Sequence, residues 1–196
     1  MDGQKLNIFS FYNLSVVVIC YSISYLVVFK FITPMQVHFI SNSNLVSLMF
    51  LPHGVRVLAC VIYGARMGAL YLFLASMLTI SLVGVGAGGA HSYLTVTLQF
   101  FVGALCAPVA FVFLEFIHED TKIGLTSVSH NTIKTITTLA LISSIINSIG
   151  QSLILDGLSV FAVQPRIILK FLLGDLLGTL ILFICLRFGL NRIDFT

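Results

Sequence analysis

Long hydrophobic runs separated by short polar stretches are the dominant pattern along this chain. About 20 apolar residues are needed for a helix to cross a bilayer. Six runs approach or exceed that length, at about residues 9–32, 45–63, 67–85, 92–116, 136–155 and 167–188. They leave only short connections and no room for a soluble domain. The pattern therefore predicts an all-α, multi-pass transmembrane bundle of about six helices, with residues 1–196 forming a single transmembrane domain.

The composition supports the same environment. Hydrophobic residues make up 58% of the chain and charged residues only 9%, whereas soluble domains carry about 25% charged residues. The expected surroundings are a lipid bilayer. The net charge of +3 comes from scattered Lys and Arg residues, and this scatter argues against a nucleic-acid partner. Lys5 precedes the first run, but no small-residue cleavage site follows, so we expect a retained first helix.

The stretch Leu51-Pro52-His53-Gly54-Val55-Arg56 lies inside the second run. Proline in a helix interior removes a hydrogen-bond donor and clashes with the preceding turn, and glycine loosens the chain. Arg56 places a permanent cation in a segment that otherwise appears membrane-buried. We expect the second helix to be kinked or broken at Pro52–Gly54, with Arg56 close to the break.

Asp175, in the sixth run, is the expected partner of Arg56. A charge at the bilayer centre costs about 2.5 kcal/mol or more, so such residues face the protein interior and find partners. One interpretation is an ion pair that tethers two helices. A second is a pocket in which Arg56, with His53, binds a small polar or anionic ligand. A third is proton relay through His53 and Asp175.

The fifth run carries polar residues at helical spacing. Ser144, Asn147, Ser148 and Gln151 recur at steps of three and four residues and therefore share one helix face. Amides facing lipid would be costly, so this face should point into the bundle. The candidate ligand-binding or structural residues are therefore His53, Arg56, Asp175, Asn147 and Gln151.

Motifs for catalysis are missing from the sequence. It contains no nucleophile elbow, zinc-protease motif or phosphate loop. The cluster His118-Glu119-Asp120 has no fixed metal-ligand spacing, and the four cysteines form no C-x-x-C pair. We expect a non-enzyme without catalytic or metal-binding residues, and the sequence specifies no cofactor. Gly174 and Gly178 predict close helix packing, within the bundle rather than in a homodimer.

The distribution of basic residues predicts orientation, because cytoplasmic loops are enriched in Lys and Arg. In the six-helix arrangement one side carries six basic residues and the opposite side three. The six are Lys5, Arg66, Lys122, Lys134, Arg187 and Arg192, and the three are Lys30, Arg166 and Lys170. We expect both termini to be cytoplasmic.

Two motifs resemble those of the bacterial membrane-associated sensor (MASE-type) domains, which precede diguanylate cyclase or histidine kinase modules. They are the P-x-x-G-like stretch of residues 51–59 and Gly174-Asp175-Leu176-Leu177-Gly178. The resemblance covers about a third of the chain, and this chain has fewer helices and no output module. It implies a stand-alone sensor-like bundle in a bacterial inner membrane that acts through partner membrane proteins.

Two other classes fit the size and the helix count. One is the substrate-binding subunit of a vitamin-type transporter, although the first helix lacks the alanines that such subunits use for docking. The other is a structural accessory subunit of a larger respiratory or photosynthetic membrane complex. The sequence identifies neither the ligand nor the partner complex.

Overall fold

The structure is a computed structural model that describes residues 11–39, 49–83, 93–117, 130–155 and 165–190. Within these ranges every residue except Met49 and Phe50 lies in a helix. The elements are α1 (Phe11–Val27), a π-helical turn (Val28–Ile32), α2 (Thr33–Phe39), α3 (Leu51–Val83), α4 (Tyr93–Ile117), α5 (His130–Leu155) and α6 (Pro165–Leu190). The cluster His118-Glu119-Asp120 lies outside the described residues.

Five helices in the described ranges are long and apolar enough to cross a membrane. They cover Phe11–Gln36, Leu51–Ser81, Leu94–Ile117, Lys134–Leu155 and Ile167–Arg187. The prediction of an all-helical, multi-pass membrane protein is confirmed at this level. The predicted count of six is not confirmed, because the second and third hydrophobic runs lie together in α3.

Helix α3 changes direction at Gly64. This residue has φ 76° and ψ 171°, a combination that is essentially restricted to glycine. Arg56 and Ser76 lie 20 positions apart, about 30 Å along a straight helix, yet both hydrogen-bond the hydroxyl of Tyr21. The chain therefore doubles back at Gly64. We call residues 51–63 the first arm and residues 65–83 the second arm.

The predicted break at Pro52–Gly54 is wrong, because these residues are helical. Met49 and Phe50 are non-helical and α3 begins at Leu51, so Pro52 lies in the first helical turn. Proline is well tolerated there because a first-turn N–H has no partner within the helix. The non-helical backbone of α3 lies at Gly64 instead.

Helix α3 is the centre of the packing, since it contacts α1, α4, α5 and α6. The interior contains small residues such as Ala75, Ala104 and Ala107, which let the helices approach closely. Large apolar side chains cover the outside, for example Phe113 and Leu180, which are 50% and 55% exposed. Such a surface suits acyl chains, and the polar side chains are concentrated where α3, α5 and α6 meet.

Candidate functional site: a buried polar centre

Arg56 is the largest fully buried side chain among the described residues, with 1% of its surface exposed. Its Nη2 and Nε atoms donate to the hydroxyl of Tyr21 at 2.9 and 3.2 Å. Nη2 also donates to the hydroxyl of Tyr25 at 3.3 Å. The guanidinium carbon lies 5.6 Å from the ring centre of Tyr21 and 5.3 Å from that of Phe50, distances typical of cation–π contacts.

Helix α4 leaves room for this guanidinium at Gly103. A methyl group at this position would overlap the Cζ and Nη2 atoms of Arg56. The absence of a side chain on α4 therefore allows the cation to lie between α4 and the tyrosines of α1. Arg56 is held by neutral hydroxyls and aromatic faces.

Asp175 is equally buried, with 1% of its surface exposed. Its Oδ2 atom accepts a hydrogen bond of 2.7 Å from Nδ2 of Asn147 on α5. The same oxygen lies 3.4 Å from Nδ1 of His53 on the first arm of α3. These contacts join α3, α5 and α6 at one point.

The expected direct ion pair between Arg56 and Asp175 is not formed. In the described part of the chain, the ion-pair contact of the carboxylate within 4.0 Å is with His53. His53 and Arg56 are three residues apart on one arm, but His53 faces α5 and α6 whereas Arg56 reaches the tyrosines of α1. The two charges act on each other through the interior without touching.

The predicted polar face of α5 points inward. Ser144, Asn147, Ser148 and Gln151 are all buried. Gln151 donates from Nε2 to the backbone carbonyl of Gln99 at 2.8 Å and to Oδ1 of Asn147 at 3.3 Å. Of the predicted residues, His53, Asp175, Asn147 and Gln151 thus form one connected cluster, and Arg56 belongs to an adjacent one.

The non-helical backbone at Phe50 lies beside this cluster. The N–H of Phe50 donates to the carbonyl of Gly174, one residue before Asp175, at 2.8 Å. A side chain at Gly178 would overlap the carbonyl of Phe50. Irregular backbone at membrane depth is tolerated only when protein or a cavity surrounds it, and the glycine pair of α6 provides that contact.

We call the side chains of His53, Arg56, Asn147, Gln151 and Asp175 the polar centre. Three of its buried polar atoms have no hydrogen-bond partner among the described residues: Nη1 of Arg56, Nδ1 of His53 and Oδ1 of Asp175. Buried polar groups are normally satisfied, so each exception needs an explanation. One is a donor, one is an acceptor, and the histidine nitrogen can be either. The centre can therefore offer hydrogen bonds of both kinds to a small polar group.

Sequence reasoning missed Tyr21, Tyr25, Ser143 and Gly103. The two tyrosines are four residues apart on one face of α1, in the middle of an apolar run rather than at the membrane interface where tyrosine is enriched. Their position within the run could therefore have indicated that their hydroxyls bind a polar group inside the bundle. Nothing in the sequence around Gly103 links it to Arg56.

No family model matches this chain, and comparison with curated proteins and with solved structures finds no match.

Proposed function

We propose that this protein is a non-enzymatic integral membrane protein of the binding class, a sensor-like or accessory subunit that recognises a small polar or anionic ligand at its polar centre. The observation that carries the proposal is the set of unsatisfied buried atoms on Arg56, His53 and Asp175. Burying an unsatisfied polar group costs about 1–3 kcal/mol. A ligand that donates to Asp175 and accepts from Arg56 would remove that cost.

The electrostatics favour a ligand with an acceptor or negative group near Arg56. The guanidinium already has neutral partners for Nε and Nη2 and presents Nη1 to any further acceptor. Arginine forms strong charge-assisted hydrogen bonds to anionic groups. The role as a sensor-like subunit draws its support from the resemblance of the two motifs to membrane-associated sensor domains.

A transporter subunit is the second candidate, and one observation favours it. The first arm of α3 begins beside Asp175, after the non-helical residues Met49 and Phe50. Discontinuous helices with their ends at a midplane substrate site are typical of secondary transporters, and the same arrangement would serve the substrate site of a transporter subunit that works with an ATPase. The third candidate is a structural accessory subunit of a respiratory or photosynthetic complex. Its contacts with partner proteins would be made by the exposed apolar side chains on the outside of the bundle.

The proposed location is a bacterial inner membrane with both termini in the cytoplasm. The support is the excess of basic residues on one side in a six-crossing arrangement. In that arrangement each arm of α3 is a separate crossing, joined at Gly64.

The decisive experiment is to identify what the protein carries when it is purified from its native membrane in mild detergent. Small molecules released from the wild type, Arg56→Lys and Ser81→Ala are compared by mass spectrometry. Ser81 is the control, because its hydroxyl is exposed and donates to the carbonyl of Met77 on its own helix. We expect one polar compound in the wild type and the control and its loss in Arg56→Lys. Equal content in all three folded proteins contradicts the proposal.

The same purification separates the three classes. A monomer or homodimer with bound compound supports the sensor-like subunit. Recovery with an ATPase pair supports the transporter subunit. Recovery in a fixed ratio with a large complex, without bound compound, supports the structural role.

A further inference from the structure

A chain of hydrogen bonds enters the polar centre from α4 with a fixed direction. The carbonyl of Gln99 can only accept, so Nε2 of Gln151 donates to it at 2.8 Å. The same nitrogen donates to Oδ1 of Asn147 at 3.3 Å. The Asn147 amide is thereby oriented, and its Nδ2 donates to Oδ2 of Asp175 at 2.7 Å. This oxygen of Asp175 is therefore an acceptor.

A second chain enters from the backbone of α5, again with a fixed direction. The carbonyl of Ala140 accepts the hydroxyl hydrogen of Ser144 at 2.7 Å. Ser144 then has no hydrogen left to donate, and its Oγ accepts from Nε2 of His53 at 3.2 Å. A neutral imidazole carries one N–H. With that hydrogen on Nε2, Nδ1 of His53 presents a lone pair.

The two chains meet between Nδ1 of His53 and Oδ2 of Asp175, which are 3.4 Å apart and are not hydrogen-bonded to each other in the structure. Two acceptors would face each other there without a hydrogen between them. Neither side chain reaches solvent, since they are 0% and 1% exposed, and low polarity makes an unsatisfied pair costly. We propose that this gap is a proton-binding site, formed by His53 and Asp175 and oriented by Ser144 and Asn147.

Proton binding adds one hydrogen to neutral His53 and ionised Asp175. The new bond is N–H at Nδ1, which donates to Oδ2, or O–H at Oδ2, which donates to Nδ1. Release breaks that bond and returns the proton to solvent. Counting Arg56 as +1, His53 as 0 and Asp175 as −1, the centre has a formal charge of 0 without the proton and +1 with it. Proton binding therefore favours an anionic ligand at the same centre.

The other charged and titratable groups around the gap are few. Arg56 lies on the same arm as His53, α1 contributes Tyr21 and Tyr25 beside Arg56, and α4 contributes Cys106. Helix α5 presents uncharged groups, namely the hydroxyls of Ser143 and Ser144 and the amide of Asn147. Among the described neighbours, Asp175 supplies the negative charge that a bound proton neutralises.

A competing arrangement needs no extra proton. Ser143 lies 3.2 Å from Nε2 of His53 and would donate its hydroxyl hydrogen to it. Nδ1 would then carry the single imidazole hydrogen and donate to Asp175. This arrangement places the oxygen of Ser144 and Nε2 together as two acceptors at 3.2 Å. In the proposed arrangement Ser143 instead donates to Sγ of Cys106, 3.6 Å away, and once the proton is bound between His53 and Asp175 no two acceptors are opposed.

Nitrogen-15 NMR of histidine-labelled protein in lipid nanodiscs distinguishes the two arrangements. The sequence contains five histidines, so replacing His38, His91, His118 and His130 by Gln leaves His53 as the single labelled histidine. We expect Nε2 to be protonated throughout. We also expect Nδ1 to gain a hydrogen or a hydrogen bond to a protonated carboxyl group as the pH falls. An Nε2 without a hydrogen at every pH, or an Nδ1 that gains neither a hydrogen nor a hydrogen bond as the pH falls, overturns the proposal.

Two variants add a readout that a structural role alone would not change. Asp175→Asn should abolish the pH-dependent change at Nδ1, because a neutral amide replaces the carboxylate whose negative charge holds the proton. Ser144→Ala should move the imidazole hydrogen to Nδ1, because Ser143 then donates to Nε2 unopposed. An unchanged pH response in a folded Asp175→Asn protein overturns the proposal. If this variant does not fold, the tautomer of His53 in the parent protein still distinguishes the proposed arrangement from the competing one.

Discussion

The Nδ1 atom of His53 lies 3.4 Å from the Oδ2 atom of Asp175, and this contact joins the first arm of α3 to α6 inside the bundle. Asn147 binds the same carboxylate oxygen from α5. Three helices therefore meet at one acidic side chain, whereas the buried guanidinium of Arg56 is held separately by α1. The tether expected from the sequence exists in another form, with histidine and asparagine in the position expected of arginine.

Asp175→Leu should lower the free energy of unfolding by about 2 kcal/mol, because it leaves the Asn147 amide buried without its acceptor. Chemical unfolding in bicelles measures the change. Leu177→Ala is the matched control, since Leu177 lies two residues away on α6 and is 44% exposed on the lipid-facing side. A loss no greater than that of the control would show that the carboxylate does not hold the helices together.

Tyr21→Phe tests how the buried cation is held. The variant removes the hydroxyl that accepts from Nε and Nη2 of Arg56 and leaves the 3.3 Å bond to Tyr25. Hydrogen bonds to charged groups contribute about 1.5–3 kcal/mol, so we expect a loss of about 2 kcal/mol in unfolding free energy. Tyr12→Phe is the control on the same helix, because Tyr12 is 73% exposed. Equal stability of the two variants would contradict the assignment.

The hydropathy pattern was sufficient to predict an all-helical, multi-pass fold, because the bilayer imposes the length and apolar character of its helices, but it did not give the number of helices in the described ranges. The burial of Arg56 and Asp175 also followed, since a charge in an apolar run has to face inward. Their partners could not be predicted in the same way. A tyrosine such as Tyr21 has the same hydropathy whether its hydroxyl meets water or a guanidinium.

The position of the break in α3 was not predictable from local rules. Pro52 would interrupt a helix that began at residue 45, but the described helix begins at Leu51, beside the contact between Phe50 and Gly174. A tertiary contact thus accompanies the helix start, and Pro52 becomes a favourable first-turn residue. Gly64 appeared in the sequence as one of several glycines, and only the structure reveals its positive φ.

Gly103→Ala should destabilise the protein through Arg56. The added methyl group would overlap the guanidinium, and overpacking of this kind costs about 1–3 kcal/mol. A double-mutant cycle with Arg56→Met separates this cause from a general effect on α4. We expect the cost of Gly103→Ala to fall by about 1 kcal/mol or more in the Arg56→Met background. An equal cost in both backgrounds would show that the guanidinium is not the obstacle.

Gly64→Ala should lower stability by about 1–3 kcal/mol for a reason confined to the backbone. In the part of the chain that the structure describes, no atom outside the local backbone lies within 4 Å of the position that a Cβ would occupy, so packing against other residues does not oppose a side chain there. The cost arises because φ 76° with ψ 171° is disfavoured for any residue that has a Cβ. Ala65→Gly, at the adjacent helical residue, should cost about 1 kcal/mol or less. If Gly64→Ala left the free energy of unfolding unchanged, α3 would not reverse at this residue.

The reversal at Gly64 also predicts the topology in the membrane. If each arm of α3 crosses, six crossings return the C-terminus to the side of the N-terminus, whereas a single crossing by α3 would place the termini on opposite sides. We expect Gly3→Cys, Arg66→Cys and Thr196→Cys, each in a protein whose four native cysteines are replaced by Ala, to react with an impermeant maleimide only after cells are permeabilised. Ser159→Cys is the control on the opposite side and should react in intact cells. Labelling of one terminus but not the other in intact cells would favour five crossings and would require the two arms of α3 to lie within a single passage through the bilayer.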